Sequence, residues 1–229
     1  MSNGIKIVAL VMGMSPRSEF RDIYARFLNA GHQIQEIGCL DDQPSIPQST
    51  SPANTVGEEI HTILPHGESI RLPKNFIEKA GLKIISKLRS SNTDLIIAMC
   101  TSKFETWEEQ SVITAFEAIN SVARSRFQGN RIGVLVPLES QLSQAKMKWE
   151  AAGFEAETVV LRPSDSTSRA LRSIRTLRGS GINNFVFDCM SYEPTCLGDI
   201  EICGDEVAIF AKNCIFDHSK TQISKRFSM

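Results

Sequence analysis

The chain has 229 residues, with 25 Lys and Arg against 26 Asp and Glu, and this near-balance excludes the large basic excess of a general nucleic-acid binder. Hydrophobic residues make up 41% and charged residues 22%, as in a globular protein with a real core, and no apolar run approaches the roughly 18 residues that a membrane span needs. The six cysteines form no disulfide framework, Cys-x-x-Cys or zinc-type spacing, and the short first apolar run is followed by Arg17, Glu19 and Arg21 instead of a signal-cleavage site. The expectation is a soluble, cytoplasmic, thiol-reduced protein with no membrane and no nucleic-acid partner.

Residues 5–12 are a continuous β-branched and apolar run, the pattern of a strand covered on both faces. The turn from Gly13 to Arg17 offers Ser15 as N-cap and Pro16 as first residue of a helix carrying Phe20, Ile23, Tyr24 and Phe27 inward. Gly31 stops that helix, and residues 33–37 form a second strand. From 41 to 57 the composition turns to Pro, Ser, Thr, Gln and Asn, a long exposed loop of the functional or disordered kind. Residues 60–64 and 69–72 flank a turn as a small hairpin, and Ile77, Ala80, Leu82, Ile84, Ile85 and Leu88 line a helix leading into the strand that ends at Cys100.

Helical spacing resumes over 108–127, and a strand over 131–136 is closed by Pro137. A helix over 139–152 ends at Gly153, with a strand over 155–161 and a helix over 166–178 behind it. A strand over 184–188 carries Cys189, and a last strand over 207–211 precedes a last helix over 213–225. Alternation of this kind implies βαβ units and mostly parallel sheets, with ligands at the carboxyl ends of the strands. Arg169, Arg172, Arg175 and Arg178 curl about half-way round their helix and read as a solvated face. The four histidines have no paired spacing, so no metal is expected.

Two stretches organise the rest: Asp94-Leu-Ile-Ile-Ala-Met-Cys100-Thr-Ser and Asn184-Phe-Val-Phe-Asp-Cys189-Met-Ser. Each is a short buried run that ends in a cysteine, and the cysteines are 89 positions apart, which suggests equivalent sites in two similar halves. A single cysteine there reads as a small buried hydrophobe; the repetition points to chemistry. A thiol near a helix N-terminus loses its proton readily, and Thr101, Ser102 and Lys103 lead from Cys100 towards the next helix. If Cys100 and Cys189 face each other, one thiolate removes a proton from a carbon and the other thiol delivers one to the opposite face. That is racemisation or epimerisation without a cofactor, and the carbanion needs donors such as the hydroxyls of Ser15, Thr101 and Ser191, or Arg17.

Gly13-x-Ser15-Pro16-Arg17, Cys100-Thr101-Ser102-x-Phe104, Ile132-Gly-Val-Leu-Val-Pro137, Gln144-Ala-x-x-x-Trp149 and Asp188-Cys189-Met-Ser-Tyr192 occur in this order along nearly the whole chain. Together they resemble the AroM family, within the wider aspartate/glutamate and hydantoin racemase group. Gly38-Cys39-Leu40-Asp41 is similar to the family's segment after the second strand.

The resemblance implies two pseudo-symmetric flavodoxin-like α/β domains, with mostly parallel sheets and a cleft between them. The first would span 1–113 plus 207–229, with a hairpin insertion at 58–73, and the second 114–206. It further implies Cys100 and Cys189 as the acid/base pair. Ser15, Pro16, Arg17, Thr101, Ser102, Pro137, Leu138, Met190 and Ser191 are the residues expected to contact substrate. No cofactor and no metal are expected; the partner is a small carboxylate or carbonyl compound, and a homo-oligomer is left open. Cys100-Thr-Ser and Asp188-Cys189-Met depart from the Cys-Asn-Thr and Gly-Cys-Thr of amino-acid racemases, and no His follows Cys189 nearby, so glutamate is not the expected substrate. Alternatives on the same fold are a decarboxylase or cis-trans isomerase using one thiolate, or a non-catalytic small-carboxylate-binding protein.

Overall fold

Buried apolar runs become the central strands of two sheets. The computed structural model describes residues 4–46, 58–198, 202 and 204–227; residues 47–57 of the expected loop, and Cys203, lie outside these. Contacts divide the chain into one unit of Met1–Ala115 with Phe216–Met229, and a second of Phe116–Ile215.

The first unit runs β1 (Lys6–Val11), α1 (Arg21–Asn29), β2 (Gln33–Gly38), β3 (Glu59–Ile63), β4 (Ser69–Pro73), α2 (Lys74–Arg89), β5 (Leu95–Ala98), α3 (Glu105–Glu108) and β6 (Ile113–Thr114). Its four-stranded sheet has the order β2-β1-β5-β6, all parallel, with the antiparallel hairpin β3-β4 standing apart. Leu10, Met12, Ile77, Ile85, Phe104 and Trp107 lie in its core. Trp107 lies so close to α2 that a Cβ on Gly81 would come within 2.1 Å of its ring.

The second unit starts within α4 (Ala115–Arg126) and continues through β7 (Arg131–Val136), α5 (Leu142–Ala151), β8 (Glu155–Val160), α6 (Thr167–Gly179), β9 (Asn184–Phe187), β10 (Val207–Phe210) and the start of α7 (Ala211–Phe227). Its sheet, β10-β9-β7-β8, is also all parallel. Leu135, Ile174, Phe185, Phe187 and Phe210 fill its core. The two sheets therefore repeat one strand order, with β1, β2, β5 and β6 matching β7, β8, β9 and β10.

Three expectations are corrected. Ser15 does not cap a helix, because its N–H and hydroxyl both donate to the Asp41 carboxylate; a 3-10 turn over Ser18–Phe20 comes first and α1 starts at Arg21. The helix expected over 108–127 is broken: Ser111 takes a positive φ of 56° and β6 pairs with β5 before α4 begins. Val112, Ile113 and Phe116 fit a helical stripe, but the open edge of β5 claims Ile113 and Thr114 as β6. The last strand, expected to complete the first domain, instead pairs with β9, where Phe210 stacks on Phe187 at 4.2 Å. The return to the first unit falls inside α7, where Phe216 packs on Phe27 at 4.8 Å and lies under Arg26.

Among the described residues no helix is long and apolar enough to cross a membrane. Nor do three or more His, Cys, Asp or Glu among them cluster in a way that could hold a metal ion.

Candidate active site

The repeated strand order sets two cysteines at equivalent places. Met99 N–H donates to Leu10 O at 2.9 Å, and Asp188 N–H donates to Leu135 O at 3.0 Å. Cys100 and Cys189 each come one residue after that last inter-strand bond, at the carboxyl edge of β5 and of β9. Both are half-buried, and neither is in a disulfide.

In the first unit, Ser102 N–H donates to Cys100 Sγ at 3.4 Å, and Thr101 beside it is buried. The helix expected to stabilise the thiolate is only the four-residue α3, starting at Glu105 with Glu105 and Glu108 in its one turn. A single turn that carries two carboxylates supplies little positive dipole, and the Ser102 amide is a local donor in its place. Cys39, one residue after β2, is fully buried, and burial first, then the charges of Cys100 and Asp41, push its thiol far above the ordinary range.

The loop after β1 is tied down by two carboxylates. Asp41 accepts Ser15 N–H at 2.8 Å, Ser15 Oγ–H at 2.6 Å and Gly38 N–H at 2.7 Å. Gly38 is required there: a Cβ would lie 2.5 Å from both Asp41 Oδ1 and Gly13 O. Pro16 is exposed and joined to Ser15 by a cis peptide. Arg17, expected near a substrate carboxylate, is buried, with Nε donating to Glu19 Oε1 at 2.7 Å and Nη1 to Thr62 Oγ1 at 2.8 Å. Its own N–H donates to Glu36 Oε1 at 2.7 Å, so both side chain and backbone serve to hold the loop.

The second unit builds its edge differently. Asp188, whose role the sequence left unexplained, is buried and accepts Lys148 Nζ and Trp149 Nε1, each at 2.8 Å. The Lys148 ammonium also lies 4.6 Å from the Phe116 ring, and Trp149 packs edge-on against Phe116 and Phe154. The Gln144-Ala-x-x-x-Trp149 motif of α5 is thus an anchor for the residue preceding Cys189. After Cys189, Met190 is buried and Ser191 half-buried, and Tyr192 N–H closes the turn onto Cys189 O at 3.3 Å. Tyr192 OH reaches back to Leu161 O. Pro137 is buried directly after β7, with Leu138 half-buried beyond it.

Within each unit, then, the structure brings expected residues to one strand edge: Ser15, Thr101 and Ser102 with Cys100, and Pro137, Met190 and Ser191 with Cys189. Sequence reasoning passed over Asp41, Lys148, Glu193 and Lys212. Lys212 carried a signal: it is a lysine two residues after the apolar strand Val207–Phe210, the offset at which Cys189 follows Asn184–Phe187. The basic row of α6 is a solvated face, with Arg169, Arg172 and Arg175 exposed and Arg178 paired bidentately with Glu206.

Two parallel sheets of one strand order, each with a cysteine at the end of its third strand, define an α/β protein of the racemase fold. Solved structures share it: allantoin racemase from Klebsiella pneumoniae (TM-score 0.62, 13% identity, 97% of this chain and 89% of that one) and maleate isomerase Iso from Pseudomonas putida S16 (0.63, 12%, 96% and 93%). Glutamate racemase from Aquifex pyrophilus matches with a TM-score of 0.58 at 14% identity, over 96% of this chain and 84% of that one. At such identities the likeness is one of fold. The sequence matches the AroM protein family over residues 7–211, and the chain belongs to that family. No curated protein matches it.

Proposed function

We propose that the protein is a cofactor-independent isomerase, a racemase or epimerase, acting on a carbon next to a carboxylate or carbonyl. Cys100 and Cys189 are its two acid/base groups, one on each face of that carbon. The observation that supports this most is the repetition of one strand order with a half-buried cysteine one residue past the same inter-strand hydrogen bond. The structural neighbours run the same way, since glutamate, allantoin and maleate all carry a carbon beside a carbonyl or carboxylate.

In one direction Cys100 starts as thiolate, accepting the Ser102 N–H, and takes the hydrogen as a proton. The C–H electron pair moves into the adjacent carbonyl as an enolate, which donors of the site stabilise. Cys189 Sγ–H then gives its proton to the opposite face. The turnover ends with Cys100 as thiol and Cys189 as thiolate, the starting state for the reverse direction. Ser15, Pro16 and Arg17 shape the substrate pocket through a fixed loop, and Thr101, Ser102, Pro137, Leu138, Met190 and Ser191 line it.

The test is deuterium wash-in: amino acids, hydantoins and 2-substituted acids are incubated with the protein in heavy water. At least one class exchanges its α-hydrogen while losing optical activity. No exchange anywhere, combined with carbon dioxide release from a substituted malonate or conversion of maleate to fumarate, moves the assignment to a one-thiolate decarboxylase or cis-trans isomerase.

A further inference from the structure

One charged group at the second sheet's carboxyl edge is not used by this mechanism. In the register of β9 and β10, Phe187 pairs with Phe210. Cys189 and Lys212 therefore each come two residues after a paired position, just past the ends of neighbouring parallel strands. Lys212 is the second residue of α7, and its side chain is only 7% exposed. Among the described residues its ammonium donates to a single acceptor, Glu193 Oε1, in the loop that follows Cys189. An ammonium has three N–H donors, so two are left to solvent or ligand. Lysine is seldom buried to this degree without a purpose for its charge.

Lys148 shows what a structural lysine looks like in this unit: its acidic partner Asp188 is itself buried, 1% exposed. Glu193 is 43% exposed, so water can take over its solvation when the ammonium turns to another anion. The N-terminal turn of α7, a helix of 17 residues, adds positive potential at the same place. Arg17, the other buried cation expected at a strand end, has its guanidinium engaged by Glu19 and Thr62.

We propose that Lys212 is the carboxylate-binding cation of the site, with Glu193 as its resting counter-ion, holding a small carboxylate next to Cys189. This deepens the functional reading above and rests on Cys189 being an active-site thiol. It names the substrate class as one carrying a free carboxylate, in preference to a neutral carbonyl compound such as a hydantoin.

The test needs no substrate. Cys189 is alkylated with iodoacetate, a small carboxylate, and separately with iodoacetamide, its neutral counterpart, and site-specific rates are read by peptide mass spectrometry on the full chain. The ratio of the two rates at Cys189 reports local charge and cancels differences in thiol reactivity. Each variant is compared with the wild-type ratio at Cys189 itself, because Glu193 also acts on the nearby Cys196 thiol. The ratio at Cys189 falls about fivefold in Lys212→Met, stays near wild type in Lys212→Arg and rises in Glu193→Gln. Where Lys212→Met does not fold, the rise in Glu193→Gln carries the test. An unchanged ratio in folded Lys212→Met, or in Glu193→Gln, overturns the proposal and makes the pair a loop tie only. Absence of α-hydrogen exchange, by contrast, would remove the racemase reading and leave the reagent ratio standing.

Discussion

The two cysteine-bearing strand ends share a backbone plan and differ in how they handle charge. At the end of β5, Cys100 is followed by Thr101 and Ser102, and its near donor is a neutral amide. The one cation of the β1 loop, Arg17, is turned inward to Glu19 and Thr62, and the Asp41 carboxylate ties that loop to Gly38. At the end of β9, Cys189 lies between two acid–lysine pairs, Asp188 with Lys148 before it and Glu193 with Lys212 after it. Two sheets of one strand order thus carry different electrostatic environments beside their cysteines.

The largest stability effect is expected at the buried pair. Asp188→Ala leaves the Lys148 ammonium, 13% exposed, without its carboxylate and Trp149 Nε1 without its acceptor. It should cost about 3–5 kcal/mol in denaturant unfolding. The double variant Asp188→Leu/Lys148→Met should recover the part of that loss due to the stranded ammonium, although Trp149 Nε1 still lacks its acceptor. A double variant as unstable as the single one would mean that the pair does more than neutralise itself.

A smaller effect falls on the first unit's edge. Gly38→Ala sets a methyl 2.5 Å from Asp41 Oδ1 and Gly13 O, so the Ser15 loop must shift. A loss of about 1–3 kcal/mol in thermal or denaturant unfolding is expected, with wild-type packing at the second unit's edge. Ser15→Ala removes one of the three hydrogen bonds to Asp41 without any clash and should cost less.

The smallest effect is a pH dependence confined to the first unit. Burial raises the Glu36 carboxyl above its usual value, against the lowering pull of its hydrogen bonds with Tyr24 and Arg17. A carboxyl raised on folding contributes stability below its unfolded pKa and loses it as the pH climbs through the folded value. The melting temperature of wild type relative to Glu36→Gln should therefore decline as the pH rises above the ordinary carboxyl range. A rising difference would mean that the hydrogen bonds outweigh burial and that the carboxyl is lowered instead.

Most of this architecture was legible in the sequence, because fully covered strands such as Ile7 to Val11 and Ile132 to Val136 are continuous apolar runs with turns behind them. The two cysteines were legible for the same reason, as each ends such a run. What escaped depended on partners distant along the chain. Ser15 resembles a helix cap until Asp41, 26 residues away, takes its hydroxyl. Val207–Phe210 looks the same whichever sheet it joins, and the choice is made by Phe187 and Phe210 stacking. The lysines stayed hidden because a lysine on a helix ordinarily means a solvated face, and nothing local says that Lys148 and Lys212 meet Asp188, 40 residues off, and Glu193, 19 residues off.

The central claim, one thiol for each face of the carbon, is tested most directly by following α-deuterium exchange from each enantiomer of a turned-over carboxylate separately, in Cys100→Ser and in Cys189→Ser. Two thiols on opposite faces predict mirror-image losses: each variant stops racemising, by about a thousandfold or more, and each loses exchange from a different enantiomer. Loss of exchange from both enantiomers in one variant, with the other variant near wild type, would contradict the account and leave a single thiolate doing the chemistry.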